Sequence, residues 1–198
     1  MRRAVVLLLA VAALAPVRSR ADGCPVTPSV DLLAAVGPLA GEAPVWAAVG
    51  GAAWCCPDCA VKVLWVVARS RHGDLMVRGE RLDGDGVASF RAGGEPVAET
   101  LRFEAADANP GVVPGGADRA TVESHAFLPS HAFFPAPGCW QMTAGFAGSE
   151  VRIVVELEDA SAEAWCRSLR DASPDAGPKA VEEGASRAGS TVWSRDGR

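Results

Sequence analysis

The sequence lacks the short motifs that mark the commonest catalytic and nucleotide-binding sites. None of its 198 residues form a G-x-S-x-G, G-x-x-x-x-G-K-[ST] or H-E-x-x-H pattern. This removes the sequence support for an α/β-hydrolase, a P-loop nucleotide site and a zinc protease. Helical periodicity is also nearly absent between Cys24 and Asp159. We therefore predict that the protein is not an enzyme and that it needs no cofactor.

After residue 16 the sequence also lacks any apolar run long enough to cross a bilayer, which takes about 20 residues. The first residues have the form of an export signal: two arginines, an apolar run at 4–15, and small residues before a cleavage point after Ala21. We predict that residues 1–21 are a signal peptide and that the protein is secreted or periplasmic. A short membrane anchor and a lipid anchor at Cys24 are the alternatives. Asp22 disfavours lipidation because it places a charge where the acylation motif has a small residue.

Clusters of basic residues are missing as well. Removal of the leader takes four arginines and no acid, leaving 15 basic and 24 acidic side chains and a net charge of about −9. A net acidic chain without a basic cluster argues against nucleic acid or anionic lipid as a partner. We expect an unknown protein or cell-envelope ligand as the partner, no nucleic acid, and no integral membrane segment after cleavage.

What the chain does contain is a series of short runs rich in β-branched and aromatic residues, separated by Gly, Pro and Asp. This pattern indicates many short strands, and the DGDG sequence at 83–86 is typical of a tight hairpin turn. We predict an all-β antiparallel β-sandwich of about 7–9 strands over 22–159, a short helix at 160–170 and a disordered tail at 171–198. A closed barrel is the main alternative. The predicted strands are 45–49, 61–68, 75–82, 87–91, 97–104, 120–124, 132–134, 139–147 and 151–157.

Half of the six cysteines lie in the sequence WCCPDC at 54–59. Cys56 and Cys59 have the C-x-x-C spacing of thiol oxidoreductases, whose reactive cysteine sits at a helix N-terminus that lowers its pKa. Here the following residues, AVKVLWVV, are typical of a strand. A zinc site would need a second ligand pair, which is missing. We predict two disulfides, either Cys56–Cys59 with Cys55–Cys166 or Cys55–Cys59 with Cys56–Cys166. A thiol–disulfide oxidoreductase acting outside the cytoplasm through Cys56 and Cys59 is the alternative function.

Two histidines belong to a near-repeat, SHAFLP at 124–129 and SHAFFP at 130–135. Imidazoles are common metal ligands, so His125 and His131 could bind copper or zinc together. The competing interpretation is that both are strand or bend positions whose aromatic neighbours reach the core while the imidazoles face water. We favour the second interpretation and keep metal binding as a further alternative.

The segment FPAPGCWQMTA at 134–144 resembles the closing hairpin of small exported bacterial proteins with a P-x-x-G-C-W-x-(hydrophobic)-T signature. Their mature N-terminus often begins Cys-Pro-Val-Thr, as CPVT does at 24–27, and weaker similarities occur at 64–65 and 79–83. Those proteins are immunoglobulin-like and functionally uncharacterised. The resemblance therefore implies an immunoglobulin-like sandwich and says nothing about activity.

Within this resemblance, Trp140 corresponds to the aromatic residue that starts strand F of immunoglobulin domains, two residues before a core position. Met142 then takes the inward position that antibody domains fill with cysteine. On the same basis Cys139 is expected to pair with Cys24 and to tie the mature N-terminus to the hairpin. Trp65 completes the predicted core signature. Its strand is nearly all apolar, so we predict that both faces of the strand are buried.

Overall fold

The computed structural model describes residues 23–51, 53–109 and 111–171. The predicted leader and residues 172–198 of the predicted tail lie outside these ranges. The strands are β1 Ser29–Leu33, β2 Gly37–Glu42, β3 Val45–Gly50, β4 Ala53–Trp54, β5 Ala60–Ala68, β6 Leu75–Arg81, β7 Val87–Arg91, β8 Leu101–Phe103, β9 His125–Phe133, β10 Gly138–Phe146 and β11 Ser149–Asp159. The helices are α1 Arg119–Ser124 and α2 Ala164–Asp171.

The strands form one hydrogen-bonded path in the order β1-β2-β3-β5-β9-β7-β6-β10-β11-β4, with β8 paired to β6. All pairs are antiparallel except the short contact between β4 and β11. Strand β7 joins the two halves of the sheet, because it pairs through Ala88 with β6 and through Phe90 with β9. The sheet is curled, so the two halves face each other across a common core.

The main core lies between the facing halves of the sheet. Trp65 of β5 and Trp140, Met142 and Phe146 of β10 are at most 2% exposed. Alternation along β10 follows from the strand period of two, which sends every second side chain inward. The buried row therefore includes Ala144 as well, and the predicted core signature of Trp65, Trp140 and Met142 occupies the centre of the molecule.

A second, smaller core covers the outer face of β3, β5 and β9. Strand β5 contributes Leu64 and Val66 to it, while its alternate residues face the main core. The covering residues come from the β1–β2 region. The prediction that 61–68 is a central strand buried on both faces is confirmed. The buried residues of the second core are Leu33, Val36, Leu39, Trp46, Leu64, Val66 and Phe127.

The all-β prediction is confirmed, with three differences in detail. Residues 120–124 form most of α1 instead of a strand, because the Asp118 carboxylate accepts a hydrogen bond from the Thr121 amide at 2.7 Å and caps a helical turn. The described residues hold eleven strands instead of about 7–9, since β1, β2 and β4 carry little periodic signal. The hydrogen-bonded path also runs through both halves, so the two separate sheets of an immunoglobulin-like sandwich stay a prediction.

The predicted helix at 160–170 is present as α2, displaced by a few residues toward the C-terminus. Neither helix of the described chain has the length and apolar character that a bilayer crossing requires.

Candidate functional site

The WCCPDC loop is closed by a disulfide between Cys56 and Cys59, and the Cys59 amide donates a hydrogen bond to the Cys56 carbonyl at 3.0 Å. Strand β5 begins at the next residue, Ala60. No helix therefore starts at Cys56, and the helix dipole that activates the first cysteine of redox C-x-x-C motifs is absent here.

The neighbouring Cys55 forms a disulfide with Cys166 of α2, and both residues are buried. Of the two pairings predicted from the sequence, the structure has Cys56–Cys59 with Cys55–Cys166. This bond fastens α2 beside β4, which itself pairs with the end of β11. The loop and the C-terminal helix are thus one linked unit at the edge of the sheet.

Cys24 forms a disulfide with Cys139 at the start of β10, as the resemblance implied. Next to it, the Thr27 amide donates to the Val154 carbonyl at 2.9 Å, and the Thr27 hydroxyl accepts from the Val154 amide at 2.8 Å. The segment before β1 therefore lies along the free side of β11. A sulfur in this disulfide cannot also carry a lipid thioether, so the bond and a lipid anchor at Cys24 exclude each other.

His125 and His131 lie on the same strand, β9, six residues apart. At a rise of about 3.3 Å per residue their backbones are about 20 Å apart. One metal ion cannot be bound by both, and this alternative is wrong for geometric reasons. His125 instead packs edge-on against Trp46, with ring centroids 5.7 Å apart. Within the described ranges, no group of three or more His, Cys, Asp or Glu side chains has an arrangement suited to a metal ion.

A His–Asp pair lies at one corner of the sheet. The His72 Nδ1 is 2.7 Å from the Asp107 carboxylate, whose second oxygen accepts from the Gly73 amide at 3.0 Å. The hydrogen bond with His72 lowers the pKa of Asp107 most, and the hydrogen bond from the Gly73 amide lowers it further. The Ser124 hydroxyl is hydrogen-bonded to the Ala120 and Thr121 carbonyls and to His125. Ser124 and His72 are therefore not joined as a nucleophile and its base.

Beside the His–Asp pair, the Arg69 guanidinium is surrounded by main-chain carbonyls. It donates to the carbonyl oxygens of Val122, His125, Asp107 and Asn109. Four carbonyl partners hold the long connection between β8 and β9 against the end of β5. Arg69 therefore has a structural role, because it holds this connection in place.

A row of three basic side chains crosses the outer face of the sheet where the second core ends. The ladders place Lys62 of β5 beside His131 of β9, and His131 beside Arg91 of β7. We call Lys62, His131 and Arg91 the cationic row. The pKa of His131 is lowered by burial first, and then by the charges of Arg91 and Lys62. The sequence did not reveal this row, because its members are far apart along the chain.

The outer face of the other half carries an open groove of about 450 Å³ with charges of both signs. The Arg152 guanidinium pairs with Glu150 at 3.0 Å, and the Gln141 amide donates to Glu80 at 3.2 Å. The two carboxylates of the groove therefore have partners within its wall. The lining residues are Arg78, Gly79, Glu80, Val87, Gln141, Thr143, Glu150 and Arg152.

No protein-family model, curated protein or solved structure matches this chain.

Proposed function

We propose that this protein is a disulfide-stabilised module that acts outside the cytoplasm by binding a partner and does not catalyse a reaction. The observation that carries the proposal is the pairing of all six cysteines. Two of the disulfides join residues more than 100 positions apart, Cys24 to Cys139 and Cys55 to Cys166. Disulfides of this structural kind persist in oxidising compartments and are rare in the cytosol.

Two further observations support the absence of catalysis. The Cys56–Cys59 pair is followed by a strand, which supplies no helix dipole to activate a thiol. The His72–Asp107 pair is not hydrogen-bonded to the Ser124 hydroxyl, which is engaged by Ala120, Thr121 and His125. The other candidate function, thiol–disulfide exchange, rests on the C-x-x-C disulfide and on the partial exposure of Cys56 and Cys59.

The proposal includes export by the predicted signal peptide and kinship with the exported immunoglobulin-like proteins of the P-x-x-G-C-W type. The kinship is supported by the burial of Trp140 and Met142 and by the bond between Cys24 and Cys139. The ligand follows from none of these features and is an unknown protein or a component of the cell envelope.

The test is a count of free thiols on denatured protein isolated from the extracytoplasmic fraction. We expect no free thiol, with six appearing after full reduction. An insulin-reduction assay on the same sample should show no activity, and the Cys56→Ser/Cys59→Ser variant should be indistinguishable from it. Reductase activity that disappears in this variant would overturn the proposal in favour of the oxidoreductase.

A further inference from the structure

We infer that the cationic row, formed by Lys62, His131 and Arg91, is a binding site for a phosphate or other tetrahedral oxyanion group. This inference rests on the proposed function, since it names the chemistry of a ligand for the binding module. Its first support is position: the three residues are direct neighbours across β5, β9 and β7. With strands about 4.8 Å apart, the row spans about 10 Å, and the longer Lys62 and Arg91 side chains can converge above the central His131.

The charges of the row are not compensated within the described chain. Neither Lys62 nor Arg91 forms an ion pair there, whereas Arg81, Arg102 and Arg152 each have an acidic partner. Lys62 and Arg91 flank His131 from the two neighbouring strands, and their charges contribute to its lowered pKa. A protein with a net negative charge that keeps three adjacent basic groups without an acid is therefore arranged for an external anion.

The shape of the row suits a small anion. His131 is half-buried and forms the floor, while Lys62 and Arg91 are exposed on either side. The Arg91 guanidinium lies 5.6 Å from the centroid of the Phe133 ring, which limits its freedom before a ligand binds. On the far side of Lys62, the paired residue of β3 is Gly50, which has no side chain to cover it. Guanidinium and ammonium groups are the usual partners of phosphate oxygens.

The experiment is an NMR titration of the oxidised protein with inorganic phosphate and, separately, with sulfate at low ionic strength. We expect saturable shifts centred on residues 62, 91 and 131. Lys62→Gln and Arg91→Gln should each weaken the binding about two- to fivefold. Arg78→Gln and Arg152→Gln are the matched controls, since they remove the same charge from the opposite outer face and should change affinity less than about twofold.

The use of sulfate also isolates His131, because sulfate stays dianionic over the range in which imidazole titrates. The charged groups that face His131 from the paired strands are Lys62 and Arg91. Affinity for sulfate should therefore rise as the pH falls from about 7.5 to about 5.5, with His131 taking up a proton in the complex. The His131→Gln variant should lose this dependence.

A second arm separates a lipid headgroup from a free anion by cosedimentation with vesicles of phosphatidylglycerol and of phosphatidylcholine alone. Binding to the anionic vesicles that is lost in Lys62→Gln and Arg91→Gln assigns a headgroup. Sulfate binding without vesicle binding assigns a soluble oxyanion. Diffuse shifts, equal losses in the arginine controls, or no binding in either arm would overturn the inference. The thiol count and the insulin assay would be unaffected by that outcome, so the two proposals fail separately.

Discussion

Ser130 is a polar side chain buried in the described core, and its hydroxyl is engaged on both sides. It accepts a hydrogen bond from the Trp65 indole at 3.1 Å and donates to the Val63 carbonyl at 3.3 Å. We expect Ser130→Ala to lower the free energy of unfolding by about 1–3 kcal/mol, because it leaves the indole N–H unpaired in an apolar environment. Urea unfolding followed by circular dichroism measures this change.

A double-mutant cycle provides the control for Ser130. In a Trp65→Phe background the indole N–H is gone, so the further change to alanine at Ser130 should cost less than it does in the parent. Equal costs in both backgrounds would show that the hydrogen bond contributes nothing and would refute the prediction.

His131 makes stability depend on pH in a definite direction. Its folded pKa is lowered by burial, Arg91 and Lys62, whereas in the unfolded chain it titrates near its ordinary value of about 6.5. The unfolded state therefore binds more protons at mildly acid pH, and stability falls as the pH drops below about 6.5. We expect the Tm in a buffer free of multivalent anions to decrease from about pH 7.5 to about pH 5.5.

The matched variant for this measurement is His131→Gln, whose Tm should depend less on pH in the same range. Addition of sulfate should reduce the loss of stability in the parent and not in the variant. The same slope in both proteins would contradict the assignment of the effect to His131.

Individual buried residues were predictable where the hydrophobic pattern of a strand indicates which of its faces is buried. Trp140 and Met142 share one side of a period-two pattern, and Trp65 lies in an almost wholly apolar run, so their burial followed from the sequence. The cationic row could not be predicted in this way. Its members are brought together by the registers of β5, β9 and β7, and no local pattern specifies a register between strands distant in sequence.

Strands β6 and β7 approach each other closely at a glycine. A Cβ added to Gly79 would lie 2.7 Å from the Ala88 Cβ and 3.3 Å from the Phe90 ring. We expect Gly79→Ala to destabilise the protein by about 1–3 kcal/mol through overpacking at this crossing, or to shift β7 away from β6. Thermal unfolding and the amide exchange rates of β7 would measure the two effects.

Gly145 of β10 is the matched control for Gly79. A Cβ at this position would meet only the Met76 carbonyl, at 3.9 Å. Gly145→Ala should therefore leave stability unchanged or raise it slightly, because it lowers the entropy of the unfolded chain. Similar losses in both variants would mean that packing against Ala88 and Phe90 is not the cause.

Strands were predictable where the hydrophobic pattern is strong, and they were not predictable elsewhere. The predictions at 61–68, 139–147 and 151–157 correspond to β5, β10 and β11 within a few residues. The 120–124 prediction failed because a single capping side chain, Asp118, outweighs the β propensity of a five-residue run. The 97–104 prediction was too long, since only β8 and the bridge between Phe90 and Ala98 form there.

For the whole chain, the disulfides should contribute unequally to stability. In the chain-entropy model, loops of 115 and 111 residues are worth about 5 kcal/mol each, and the three-residue loop about 2 kcal/mol. We expect Cys24→Ala/Cys139→Ala and Cys55→Ala/Cys166→Ala to lower the unfolding free energy far more than Cys56→Ala/Cys59→Ala. Urea unfolding without reductant checks the order, and a largest loss in the last variant would contradict it.

The closure of the sheet was beyond reach of the sequence. The strand pattern indicates how many elements have one buried face. It does not predict that β7 pairs with both halves of the sheet, or that the segment containing Thr27 lies beside β11. These arrangements depend on which edges are left open once the neighbouring strands have paired. A sandwich and a barrel both satisfy the same alternation, so the alternation alone does not distinguish them.

The order of the cysteines along the chain has a consequence for how the protein matures. A polypeptide that leaves a ribosome or a translocation channel N-terminus first presents Cys24, Cys55, Cys56 and Cys59 to oxidants while residues 139 and 166 are still inside. Oxidation at that moment joins early cysteines to each other, and two of the three native bonds cannot yet form. The correct set therefore forms after the last part of the chain has emerged, or by thiol exchange, a reaction that disulfide isomerases catalyse.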